Sequence, residues 1–326
     1  MNELTRAYDL IGDIHGHAGK MEALLLAMGY MPSGRGYKAP EGRMAVFLGD
    51  LIDRGPQQLR VLEIARAMVE SGDALSIMGN HEFNAIGYLT VHPKSPEGEC
   101  YRPNRGSSAK CLKNRAQHAA FLEQVGEGST QHHEWVRWFR SLPPFLDLGG
   151  LRAVHGCWDD EAVALLKQAG WMPGSVLSDE LLAAAYEPSG RVRWARELLT
   201  CGLELPLSEG RYIVDKAGHR HDNVRVANWR HWAEEFHQLA LVPKGQEEQL
   251  RGMEWPAELV ISAIEGSPIF VGHHWFTGHP LIESPKLACL DWSAAADGPL
   301  VAYRWDGEQE LSNNKLFWVR ESRHAD

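Results

Sequence analysis

Five short apolar runs in this 326-residue chain each stop at a glycine turn that carries Asp, Asn or His. Residues 8–11 end in GDIHG, 44–48 in GDLIDRGP, 74–78 in GNHE, 151–154 in HG, and 268–271 in GHH. Apolar runs of this length bounded by glycine read as buried strands. Between the first three lie helical patterns. Met21, Leu24, Leu25 and Met28 share one face over 20–28. Leu59, Leu62, Ile64, Ala65 and Met68 supply the buried side of a second helix, opened by Pro56, where proline is tolerated. Strand–helix–strand order predicts parallel pairing with right-handed crossovers. In such sheets ligands gather beyond the carboxyl ends of the strands, and all five polar turns fall there.

Two long stretches, 84–146 and 157–266, interrupt this rhythm with mostly helical patterns. The second also predicts a hairpin: 211–214, a turn at 215–218, and 224–228. Strand patterns return at 287–291, 300–305 and 316–319. With no internal repeat, low-complexity segment or linker, the chain reads as one α/β (α+β) domain over 1–326 with two insertions.

Composition narrows the function. Charged residues are 23% and hydrophobic ones 44%, which is ordinary globular usage. The net charge of −10 disfavours a nonspecific nucleic-acid coat. No apolar run approaches the ~20 residues of a membrane helix, and the N-terminal segment lacks a signal-peptide pattern. Five scattered cysteines without a C-x-x-C argue against a disulfide framework and suit a reducing cytoplasm. Nothing in the sequence points to a protein partner.

Collected at the strand ends are Asp13, His15, Asp50, Asp53, Arg54, Asn80, His81, His155 and His273. The candidate ligands are two Asp, one Asn and three His. Oxygen and imidazole donors without thiolate suit Mn²⁺, Fe or Zn²⁺ better than Ca²⁺. Asp50, with two carboxylate oxygens, can bridge two cations, and a cation pair ~3.5–4 Å apart stabilises phosphoryl transfer.

These blocks resemble the calcineurin-like metallophosphoesterases. The carriers are GDIHGH (12–17), GDLIDRG (49–55), GNHE (79–82), VHG (154–156) and VGHH (271–274). The D-R-G and N-H-E forms are similar to the phosphoprotein phosphatase branch, which includes bacterial diadenosine tetraphosphate hydrolases. Asp53 matches protein phosphatases in that branch. Met78 departs from those enzymes, which carry arginine at that position, and the segment 288–305 looks more like the bacterial hydrolases.

The resemblance implies a two-sheet β-sandwich flanked by helices, with two divalent cations at one edge. Manganese is expected first, with Fe, Zn, Co or Ni as alternatives. Asp13, His15 and Asp50 would hold one cation; Asp50, Asn80, His155 and His273 would hold the other. A hydroxide shared by the metals would attack phosphorus. Arg54 would grip phosphate oxygens bidentately. His81 would protonate the leaving oxygen, oriented by Asp53. The expected substrates are small phosphorylated molecules, phosphomonoesters or nucleoside polyphosphates. The alternatives are a Ser/Thr protein phosphatase and a non-catalytic metal- and phosphate-binding scaffold.

Other residues stay open at this stage. His274 is an alternative ligand to His273, while His17 reads as a neighbour of the site or a surface residue. A second substrate-holding arginine is expected among Arg191, Arg193, Arg211, Arg225 and Arg230. Residues 101–115 hold five basic side chains and no acid, which would steer an anionic substrate or form a solvated face. Trp135 and Trp138 read as core, Trp275 as a neighbour of the ligand histidines, and Cys157 as a packed thiol.

Overall fold

The computed structural model describes residues 7–320, apart from 96, 209, 215–217, 219, 244, 255–258, 260 and 262. The chain starts with β1 (Ala7–Ile11) and α1 (Ala18–Ala27), then the hairpin β2 (Met31–Ser33) and β3 (Gly36–Lys38). Next come β4 (Arg43–Phe47), α2 (Gln58–Ser71) and β5 (Ala74–Ser76). A helical segment follows with α3 (Asn80–Leu89), α4 (Ala109–Val125) and α5 (Thr130–Phe139), then β6 (Phe145–Asp147) and β7 (Arg152–Val154). Three more helices, α6 (Asp160–Gln168), α7 (Asp179–Tyr186) and α8 (Arg191–Cys201), precede β8 (Glu204–Pro206), β9 (Ile213–Val214), β10 (Arg220–His221) and β11 (Asn223–Val226). The one-turn α9 (Phe236–Leu239) and β12 (Ala240–Leu241) lead to β13 (Ile269–Val271), β14 (Leu287–Cys289), β15 (Leu300–Trp305) and β16 (Leu316–Val319).

Two sheets form the expected sandwich. One has the order β16-β15-β1-β4-β5, with β1–β4 and β4–β5 parallel. The other has the order β14-β13-β7-β6, with β13 parallel to both its neighbours. Strand residues alternate between two environments, as a period of two requires. Leu10, Val46, Val301 and Tyr303 face Ala153, Phe270 and Ala288 in the core between the sheets. Phe270 and Tyr303 meet there with ring centroids 5.1 Å apart. Ile11, Ala45 and Phe47 belong instead to the cluster that includes Leu24 and Leu25 of α1 and Leu62 and Ile64 of α2.

The insertion helices begin where sequence chemistry allows. Ser108, Ser129, Asp159 and Ser178 each accept a backbone N–H three residues on, capping α4, α5, α6 and α7. Such caps stabilise a helix by about 1 kcal/mol each. Among the described residues of the second insertion, the last helix longer than four residues ends at Cys201. The remainder of that insertion holds the three-stranded sheet β12-β11-β8. The expected hairpin is replaced by other pairings. Residues 213–214 pair with 220–221, while β11 lies between β8 and β12. The expected turn residues 215–217 lie outside the described residues. Val224 and Val226 are buried with Phe236 and Leu239 in a small separate core, which rewards that register over the local one.

Candidate active site

The five polar turns meet at one edge of the sandwich. Asp13, Asp50 and Asn80 follow β1, β4 and β5 of one sheet; His155 and His273 follow β7 and β13 of the other. The backbone there is unusual. His15, Asp50, Asp53, Arg54, His273 and Trp275 all have φ between 47° and 72°, a region disfavoured for residues with a Cβ. Such conformations gather at functional sites because the surrounding structure holds them. Packing is equally tight: a Cβ at Gly79 would lie 2.2 Å from Asp50 Oδ1, and one at Gly272 would lie 2.2 Å from Asp13 Oδ1. Only glycine admits these approaches.

Asp50 is the hub. Its Oδ2 lies 3.6 Å from His15 Nε2, 3.3 Å from His155 Nε2 and 3.8 Å from His81 Nε2. Asn80 Oδ1 lies 3.2 Å from His155 Nε2 and 3.0 Å from His273 Nδ1. Two groups with metal-ligand spacing result, His15–Asp50–His81 and Asp50–His155–His273, and Asp50 is common to both. Asp13 lies outside both groups, its carboxylate accepting the His273 backbone N–H at 3.1 Å.

The hydrogen bonds show that cations fit. His15 Nδ1 donates to the Ile52 carbonyl at 2.8 Å and His155 Nδ1 to the Leu48 carbonyl at 2.6 Å. In neutral rings each Nε2 then carries a lone pair. His15 is held neutral, its pKa driven down to about 3 by burial and by His81. Its lone pair therefore faces a carboxylate oxygen across 3.6 Å, acceptor against acceptor. A divalent cation held by His15 and Asp50 would resolve that conflict, and carbonyl-anchored imidazoles are the usual way to aim such ligands. At His155 burial disfavours charge, yet Asp50 and Asp13 push the ring up to about 10.

Beside this cluster stands a second set of groups. His81 Nδ1 lies 2.5 Å from Asp53 Oδ2. Burial opposes the His81 charge, but Asp50 and Asp53 outweigh it and raise the pKa, which favours imidazolium. Burial also opposes ionisation of Asp53, yet His118 and His81 hold its carboxyl down at about 2. Arg54 is exposed, and its guanidinium sits 4.4 Å from the centre of the Trp275 ring. A cavity of about 310 Å³ is lined by Arg54, His81, Ala116, Gln117, Ala119 and Ala120.

The remaining candidates separate clearly. His274 turns inward, with Nε2 3.1 Å from the Gly156 carbonyl and its ring edge on Trp229. Of the five candidate arginines, Arg225 is the one that bonds to a residue of the cluster, donating to the His273 carbonyl at 3.2 Å and to Glu204 at 3.1 Å. Arg191, Arg193 and Arg230 pair with Glu161, Glu197 and Glu283, and Arg211 donates to the carbonyls of Gln249 and Arg251. In the basic segment Arg102 points inward to Asn84, Asn114 and Gln117, which leaves Arg105, Lys110 and Lys113 exposed. Trp135 and Trp138 are core residues. Burial pushes the Cys157 thiol up to about 12, which disfavours the thiolate.

Sequence reasoning missed Glu82 and His118. The Glu82 carboxylate, fully buried, accepts N–H bonds from Gly79, Asp50 and Leu51 at 2.9, 2.9 and 2.8 Å. Its place three residues after Gly79, at the start of α3, is a capping signal visible in the sequence. His118 reaches Asp53 across 65 positions, and no local pattern marks it.

A two-sheet sandwich with a carboxylate shared between two ligand groups defines a metallophosphoesterase architecture. The chain belongs to the calcineurin-like phosphoesterases, whose family model matches residues 8–194. It is 39% identical over 87 residues to PrpE of Bacillus subtilis strain 168, named bis(5′-nucleosyl)-tetraphosphatase (asymmetrical); these are 27% of this chain and 36% of that protein. PrpE of Halalkalibacterium halodurans is 39% identical over 74 residues, 23% of this chain and 30% of that protein. The chain thus spans about a third of the length of the curated relatives it matches. Among solved structures, a Saccharomyces cerevisiae protein serine/threonine phosphatase similar to human PP5 has a TM-score of 0.45 at 13% identity, covering 99% of this chain and 82% of its own. A cold-active protein-tyrosine phosphatase of a Shewanella species has a TM-score of 0.41 at 18% identity, covering 97% of this chain and 80% of its own. No helix among the described residues is long and apolar enough to cross a membrane.

Proposed function

We propose that this chain is a dinuclear metal-dependent phosphoesterase that hydrolyses phosphomonoesters or nucleoside polyphosphates. The observation that carries this reading is the position of Asp50, whose Oδ2 lies between His15 and His155 and beside the His81–Asp53 pair. The sandwich and both insertions act as one domain. Asp13, His15 and Asp50 would hold one cation, and Asp50, Asn80, His155 and His273 the other, with manganese the first candidate. When bound, two divalent cations supply Lewis acidity for the phosphoryl oxygens and for the attacking water.

The chain's own groups do the rest. Arg54 binds equatorial phosphate oxygens with its planar fork, and Arg225, beside His273, is the second arginine available to them. His81 in its charged form delivers a proton from Nε2 to the leaving oxygen. Asp53 accepts from Nδ1 and so fixes the ring and its charge. The leaving group lies in the cavity beside His81, Gln117 and the alanines of α4. The names of the PrpE relatives support a nucleoside polyphosphate as one substrate. A cytoplasmic location is supported by five free cysteines.

The test is hydrolysis by metal-stripped, Mn²⁺-reconstituted protein of three compounds: 4-nitrophenyl phosphate, diadenosine tetraphosphate and a phosphoserine peptide. Metal-dependent turnover led by the aryl ester or the dinucleotide supports the proposal. A lead for the peptide replaces it with a protein phosphatase, a reading that the His81–Asp53 pair also accommodates. Two bound cations without turnover of any compound leave a scaffold.

A further inference from the structure

His118 is completely buried on α4, and its Nδ1 lies 2.9 Å from Asp53 Oδ2 and 3.1 Å from Oδ1. The same carboxylate meets His81 Nδ1 at 2.5 Å. Asp53 is therefore held between two imidazoles, one at the cavity and one in the core. We propose that His118 is a positioning residue for the proton donor, fixing the Asp53 carboxylate so that His81 keeps Nε2 aimed at the leaving oxygen. This rests on the reading of His81 as the general acid.

The physical reason lies in the freedom of a carboxylate. The terminal torsion of Asp is broad, so one partner leaves the two oxygens free to rotate. His118 Nδ1 lies within reach of both oxygens and removes that freedom. The ring of His118 is fixed in turn by Tyr88, whose ring meets it edge-on with centroids 5.4 Å apart. The Asp53 backbone is fixed as well, its N–H donating to Gln58 Oε1 at 2.7 Å. Loss of about 1 Å of precision at a proton donor costs rate far more than it costs stability. The placement on α4 adds a second link. Gln117 and Ala119, on either side of His118, line the cavity next to His81. One helix therefore walls the leaving-group space with one face and braces the acid with the other.

The experiment compares two esters on the Mn²⁺-loaded protein: glycerol 2-phosphate, a poor leaving group that needs the proton, and 4-nitrophenyl phosphate, a good one that does not. His118→Leu removes the donor. His118→Asn places an amide N–H near the Nδ1 position, and His118→Gln places its amide beyond it. His118→Leu is expected to slow the alkyl ester roughly tenfold more than the aryl ester, within the range for general acids. His118→Asn should recover most of that difference and His118→Gln should not, a contrast that survives if the leucine variant fails to fold. In a His81→Asn background, His118→Leu should add no further discrimination. Equal slowing of both esters by His118→Leu, or by His118→Gln, with discrimination intact for His81→Asn, overturns the positioning role alone. Absence of discrimination in His81→Asn itself overturns the acid assignment and this inference with it.

Discussion

Glu82 grips Asp50 through the backbone, its carboxylate accepting the Asp50 N–H at 2.9 Å. The same side chain holds Gly79 and Leu51, so the turns after β4 and β5 share one buried carboxyl group. Glu82→Gln keeps the shape but replaces one acceptor oxygen with an amide N–H donor. At least one of the backbone donors then loses its partner, at about 1–3 kcal/mol. Urea unfolding of the metal-free protein should show that loss. Metal affinity should drop about 10–100-fold, as for other groups that orient ligands. Unchanged values for both would remove Glu82 from this role.

Asp50 faces both ligand groups. Asp50→Asn is therefore expected to weaken both cation sites together, not one. Elemental analysis after gel filtration should find well under two equivalents of metal. Two tightly retained equivalents would mean that Asp50 does not bridge.

Trp275 is 43% exposed and its ring meets the Arg54 guanidinium, while its backbone N–H donates to Asp291 Oδ2 at 2.8 Å. An exposed cation–π contact contributes about 0.5–1 kcal/mol. Trp275→Ala should raise KM for a phosphomonoester about two- to fivefold and leave kcat nearly unchanged. The check is a steady-state comparison at fixed ionic strength. A fall in kcat with constant KM would place Trp275 in the chemistry and not in the grip on phosphate.

Cys157 is buried, and Asn228 Nδ2 lies 3.3 Å from its sulfur. With the thiol pushed up to about 12, almost none is thiolate at pH 8. Native protein treated with an aromatic disulfide reagent at that pH should label Cys201, which is partly exposed, and spare Cys157. Rapid labelling of Cys157 in folded protein would contradict its packing.

The parts of this site that could be read from the sequence are those encoded within a few residues. Each apolar run, its glycine and the following Asp, Asn or His form one local unit, so Asp13, Asp50, Asn80, His155 and His273 were recognisable before any sheet was assembled. His118 and Arg225 were not, because each reaches its target over a long separation, from an insertion whose own pattern records only helix or strand. The misread hairpin has a related cause. Residues 224–228 alternate well enough to pair with several neighbours, and the apolar cluster around Phe236 decided which. His274 illustrates the limit of residue type alone. It follows His273 directly, yet its ring turns to the Gly156 carbonyl, and only the backbone conformation separates the two.

The two sheets contribute unequally to the cluster: Asp13, Asp50 and Asn80 come from one, His155 and His273 from the other. Cations held there would act as rivets across the seam of the sandwich, joining strands about 260 positions apart in the chain. Metal supply and mechanical integrity then become one variable. Each tenfold rise in free cation above its dissociation constant adds about 1.4 kcal/mol of resistance to unfolding. A cell short of the metal would lose the enzyme's durability along with its chemistry.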